Sequence, residues 1–128
     1  VSLSGLDGAD GFRLDGEVGS SSGYSVASAG DLNGDGFADL IVGGSFAAPN
    51  GLAMAGSSYV VFGKAAGWTS TLSVTTLDGT NGFRLDGAAE NDQSGIAVAS
   101  AGDVNGDGFA DLLVGASQAD PNGTTNAG

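Results

Sequence analysis

The sequence has neither cysteine nor histidine, and only Arg13, Lys64 and Arg84 stand against 15 acidic residues, for a net charge of −12. The scarcity of positive charge argues against nucleic acid and anionic membrane surfaces as partners, since both demand a basic patch. Long apolar runs are also missing. Glycine, 25 of 128 residues, interrupts the alanine- and valine-rich stretches before any could cross a bilayer. No segment sustains a 3.6-residue apolar period, so helices are not expected. Without histidine, the serine pattern Gly19-Ser-Ser-Ser-Gly23 has no base to activate Ser21, and it reads as a surface link between strands. The absence of cysteine is compatible with an extracellular protein but does not require one.

What the chain does contain is a nine-residue acidic loop, Asp31-Leu-Asn-Gly-Asp-Gly-Phe-Ala-Asp39, repeated as Asp103-Val-Asn-Gly-Asp-Gly-Phe-Ala-Asp111. Asp31, Asn33 and Asp35 stand at alternate positions, and Gly34 and Gly36 let the backbone turn tightly. Their oxygens, the Phe37 carbonyl and Asp39 make a hard, oxygen-only donor set suited to calcium; Asp103, Asn105, Asp107, the Phe109 carbonyl and Asp111 repeat it. About two Ca2+ ions are expected, one per loop, taking the net charge from −12 to −8. Another divalent ion, or a plain turn without metal, remains an alternative from the residues alone. An EF-hand does not fit, because its twelfth position falls on Val42 and Val114 where a glutamate is needed.

The rest of the chain is repetitive too. Phe12 returns as Phe83, 71 residues on, within Gly-Phe-Arg-Leu-Asp-Gly, and Asp31 returns as Asp103 after 72. The extra residue falls in the link 88–94, which should be exposed. Strands are expected at 24–29, 40–43, 58–62 and 82–85, with an isolated outer strand at 11–14. Arg13 and Arg84 recur at one place and are expected to bond an aspartate or carbonyls of a neighbouring unit, while Asp15 and Asp86 read as turn residues. Tyr24, Trp68 and Phe46 lack aromatic counterparts; packing is expected for Tyr24, and surface contact is open to the other two.

With these motifs in view, the chain resembles the FG-GAP repeat family, the blades of integrin α-subunit propellers and of bacterial secreted proteins. Phe62-Gly63 matches the first element, and 42–49 and 114–121 match a loosened second one. The resemblance implies an all-β fold of four-stranded antiparallel β-propeller blades, with the acidic loops at the family's calcium position. It divides the chain into repeats at 1–71 and 72–128. Less than two full repeats are present, which implies an excerpt of a larger propeller or a fragment that assembles with copies of itself. The function implied is a calcium-stapled structural or adhesive module, extracellular or at the cell surface, of bacterial type, holding a protein or glycan ligand and catalysing nothing. Two alternatives accompany it: a building block of an extracellular filament or surface layer, and an accessory propeller of a larger secreted hydrolase.

Overall fold

The computed structural model describes residues 2–128; Val1, the first residue of the expected 1–71 repeat, lies outside them. The described residues form no α-helix. Four strands make one antiparallel sheet in the order β2 (Ser25–Gly30), β3 (Asp39–Gly44), β4 (Ser57–Val61), β6 (Gly82–Asp86). This is one complete blade, and its strands fall within a residue or two of those read from the sequence. β7 (Ala97–Gly102) and β8 (Asp111–Gly115) form a second antiparallel pair.

Strand periodicity builds the core. Ala27, Ile41, Val60 and Phe83 lie opposite one another in register and form a single apolar row across all four strands. Ile41, Val60 and Ala29 are completely buried, and Val98, Leu112 and Val114 of the second pair cover them. Because successive side chains alternate between faces, the neighbouring row looks the other way, and there Val26 and Leu40 stay exposed. β4, in the middle of the sheet, is buried along its whole length.

The two units approach through glycine. Any Cβ on Gly43 would collide with the Gly95 carbonyl, and Ser25 Oγ donates to that same oxygen at 2.8 Å. A bulge at Gly30, repeated at Gly102, ends each first strand and aims the chain into the acidic loop. Both glycines have positive φ, +75° and +71°.

Three expectations need correction. The strand expected alone at 11–14 is β1 (Arg13–Asp15), paired in parallel with β5 (Thr71–Ser73), a strand not foreseen. The stack of Phe12 on Trp68, 4.3 Å between nearly parallel rings, joins the segments that carry them. Trp68 is therefore a packing residue, whereas Tyr24, expected to pack, is largely exposed. The link 88–94 is not simply exposed either, since Asn91, Gln93 and Ser94 donate backbone bonds to Ala53, Met54 and Ala55, and Asp92 is buried. Ser20, in the corresponding link of the first repeat, is buried as well.

The burial contrast between Ile41 and its repeat counterpart Leu113, which is 63% exposed, predicts unequal truncation costs. Ile41→Ala should lose about 2–5 kcal/mol of unfolding free energy, and Leu113→Ala about 0.5 kcal/mol or less, in urea titrations of both variants.

Candidate metal centre

Each acidic loop leaves its glycine bulge and winds around one carboxylate. Asp31 Oδ1 accepts from the amides of Gly34 (2.8 Å) and Asp35 (3.1 Å), and Oδ2 accepts from Gly36 (2.9 Å). Asn33 Oδ1 accepts from the Asp35 amide, and Asp35 Oδ1 from the Phe37 amide. The turn needs left-handed backbone at Gly34 and Gly36, φ +75° and +87°, which glycine adopts without a Cβ clash.

The second loop repeats the pattern. Asp103 accepts from Gly106, Asp107 and Gly108, Asn105 Oδ1 from the Asp107 amide, and Asp107 Oδ1 from Phe109. The loops also meet: Ala110 N–H donates to the Asp31 carbonyl at 3.1 Å, and the Phe109 ring lies where a Cβ on Gly34 would stand.

Asp39 differs from the other loop carboxylates in being completely buried. Its Oδ2 accepts from the Leu32 amide at 2.8 Å and its Oδ1 from the Gly63 amide at 2.7 Å. It thus ties the loop, the start of β3 and the chain leaving β4 at one point. Gly63 has no room for a side chain, because a Cβ would strike the Ala38 carbonyl. Asp111 keeps the loop bond, Val104 N–H to Oδ2 at 2.8 Å, but its other oxygen meets only the Asn105 amide at 3.5 Å.

Every expected ligand residue therefore sits in its loop, with carboxylates engaged by backbone N–H groups. Among the described residues, no three His, Cys, Asp or Glu side chains are drawn into one cluster. The N–H bonds give the acidic residues a turn-shaping role in their own right. They do not neutralise the charge, and the described ion pairs leave all six loop aspartates without a cationic partner. For Asp39 that means a fully buried carboxylate offset only by dipoles, a situation that favours a bound cation. The donors are all hard oxygens, so the chemistry of the set fits calcium.

The arginines are occupied elsewhere. Arg13 forks onto Asp15, and Arg84 onto Asp86 in the same strand, with Glu17 as a second partner at 3.0 Å. Asp15 and Asp86 are thus strand-end partners of arginine, where the sequence suggested turn residues. A cleft of about 350 Å³ opens beside the first loop, lined among others by Asn33, Asp35, Lys64, Trp68 and Asn81. Sequence reasoning missed Gly63 and Glu17 as partners, because each bond joins residues distant along the chain.

The model for the FG-GAP repeat matches residues 22–61 and 94–128, which takes in both loops and most of the blade strands. The chain belongs to the FG-GAP repeat family. Similar FG-GAP relatives include integrin alpha-7 of Homo sapiens, 38% identical over 94 residues. Integrin alpha-6 of Gallus gallus is 35% identical over 97 residues, and integrin alpha pat-2 of Caenorhabditis elegans 36% over 94. These alignments take in 73–76% of this chain and only 7–8% of each relative. The four-stranded sheet is accordingly an FG-GAP propeller blade.

The loop bonds carry a pH consequence. The Gly108 N–H, with those of Gly106 and Asp107, holds the Asp103 carboxyl below its ordinary 3.8. A carboxyl whose folded value is depressed contributes stability that is fully present above the ordinary value and lost as pH falls through the folded one. Thermal unfolding in chelator should therefore show stability falling from about pH 4 downward, with a shallower acid limb in Asp103→Asn than in the parent.

Proposed function

We propose that the chain is a calcium-stapled interaction module of an extracellular or cell-surface protein, with one ion in each acidic loop. Asp31, Asn33, Asp35, Asp39 and the Phe37 carbonyl would hold one ion, and Asp103, Asn105, Asp107, Asp111 and the Phe109 carbonyl the other. Each ion serves one repeat, 1–71 or 72–128. The single observation that carries this reading is Asp39, a completely buried carboxylate with no cationic partner among the described ion pairs, inside an oxygen-only donor set. Bound calcium would supply the missing positive charge and fix the loop that leads into β3.

Calcium loops of extracellular modules bind in the range of about 10⁻⁴–10⁻³ M, so they fill where calcium is millimolar. That concentration supports the extracellular or cell-surface setting, as does similarity to integrin alpha subunits. The role is binding. The chain has no histidine or cysteine for nucleophilic catalysis, and its loop carboxylates accept bonds from the loops' own backbone. A protein or glycan would be the ligand, and adhesion the context.

The test is a calorimetric calcium titration of the chain beside an Asp35→Ala, Asp107→Ala double variant, with melting followed in both. The parent should take up about two ions and gain about 2.7 kcal/mol per ion bound when free calcium reaches 100 times Kd, and the variant should lose both effects. A parent that binds no calcium and melts identically in chelator would remove the metal sites from the account.

A further inference from the structure

The two acidic loops meet at one peptide group. The Ala110 N–H donates to the Asp31 carbonyl at 3.1 Å. The carbonyl across that same peptide bond is that of Phe109. A peptide unit is planar and rigid, so its carbonyl and its N–H cannot be aimed independently. One end of this unit belongs to the donor set of the second loop. The other end holds the backbone of Asp31, the residue around which the first loop winds.

The neighbouring side chains fix the unit in place. The Phe109 ring fills the space beside Gly34 where a Cβ would stand, and the Ala110 methyl does the same at Gly30, the bulge that opens the first loop. Gly34 in turn donates its N–H to Asp31 Oδ1 at 2.8 Å. Phe109 and Ala110 therefore brace the first loop at its entrance, at its central aspartate and at its turn.

We propose that the two ion sites are energetically coupled through the Phe109–Ala110 peptide, so that filling one loop raises the affinity of the other. Ala110 is then a positioning residue for the first site: it supplies no ligand and acts through Asp31. A Phe109 carbonyl engaged by an ion leaves the Ala110 N–H a stronger donor to Asp31, because bonds in a chain polarise one another. The peptide plane is also fixed, so ordering imposed on the pair of loops by the first binding event need not be imposed again by the second. Linkage makes the effect reciprocal between the loops.

Charge opposes this coupling. Each loop carries three aspartates, and a bound divalent ion takes its formal charge from −3 to −3 + 2 = −1, which weakens the pull on the other ion. Asp35, Asp103 and Asp107 are exposed, however. Their repulsion and attraction act through water and are screened over about 8 Å at physiological salt. The peptide link is a direct contact that salt does not screen, so the coupling is positive under those conditions. This inference rests on the calcium-stapled reading and adds that the two ions bind as a unit.

Calorimetric calcium titration of the full chain beside Asp35→Ala, Asp107→Ala and Ala110→Pro tests it at about 0.15 M salt. Asp35→Ala leaves only the second loop to bind, and Asp107→Ala only the first. The parent's overall two-ion association constant should exceed the product of the two single-loop constants by about fivefold or more. Ala110→Pro deletes the linking N–H and no ligand, and the same comparison in that background should give equality. If Ala110→Pro does not fold, a salt series on the other three chains decides, because the excess should persist or grow as salt rises. Equality in the parent means two independent ions, which overturns the coupling and leaves the calcium reading intact. An excess that survives in the Ala110→Pro background, or that disappears at high salt, also overturns it. A parent that binds no calcium overturns the coupling and the calcium reading together.

Discussion

One buried carboxylate organises the first blade. Asp39 stands at the start of β3 with no exposed surface, and its two oxygens hold the Leu32 amide of the acidic loop and the Gly63 amide beyond β4. A buried carboxylate that lost either donor would carry an uncompensated desolvation cost, so loop, strand entry and strand exit are fixed together. The glycine at 63 follows from the same constraint, for the backbone must come close enough to donate while the Ala38 carbonyl fills the side-chain space. The second loop shares the winding around Asp103 but not this long-range bond, because Asp111 meets no comparable partner among the described residues.

Glycine decides how the repeats fit against one another. Gly43 lets the Gly95 segment lie directly on β3, while Gly34 admits the Phe109 ring between the two loops. The apolar row Ala27, Ile41, Val60 and Phe83 is then sealed by residues from the next repeat. Folding of the complete blade and placement of the β7–β8 pair are therefore linked, since Val98, Leu112 and Val114 join Leu32, Phe62 and Phe83 in covering the cluster of Ala29, Ile41 and Val60.

Much of this was readable from local sequence. The loop residues Asp31 to Asp39 stand next to one another, so their turn chemistry is written in nine letters. Strands such as β3 and β4 are short β-branched runs between glycines and declare themselves. What escaped was non-local. The parallel pairing of β1 with β5 joins residues 58 apart, and nothing in the three-residue run Thr71–Ser73 distinguishes a strand from a loop. The Asp39 to Gly63 bond, the Arg84 to Glu17 pair and the burial of Asp92 depend on how the sheet twists and where the links fold back. Tyr24 misled because an aromatic residue at a strand start normally packs, and its face is one that no part of this chain covers.

The most direct measurement compares urea unfolding of Asp39→Ala and Asp111→Ala in calcium-free buffer, where the variants differ in the burial and hydrogen bonds of the lost carboxylate and not in a bound ion. Asp39→Ala frees the Leu32 and Gly63 amides inside the blade and should cost about 3 kcal/mol or more, while Asp111→Ala should cost about 1 kcal/mol. Equal losses in the two variants would contradict the claim that the buried carboxylate at 39 holds the loop and blade together.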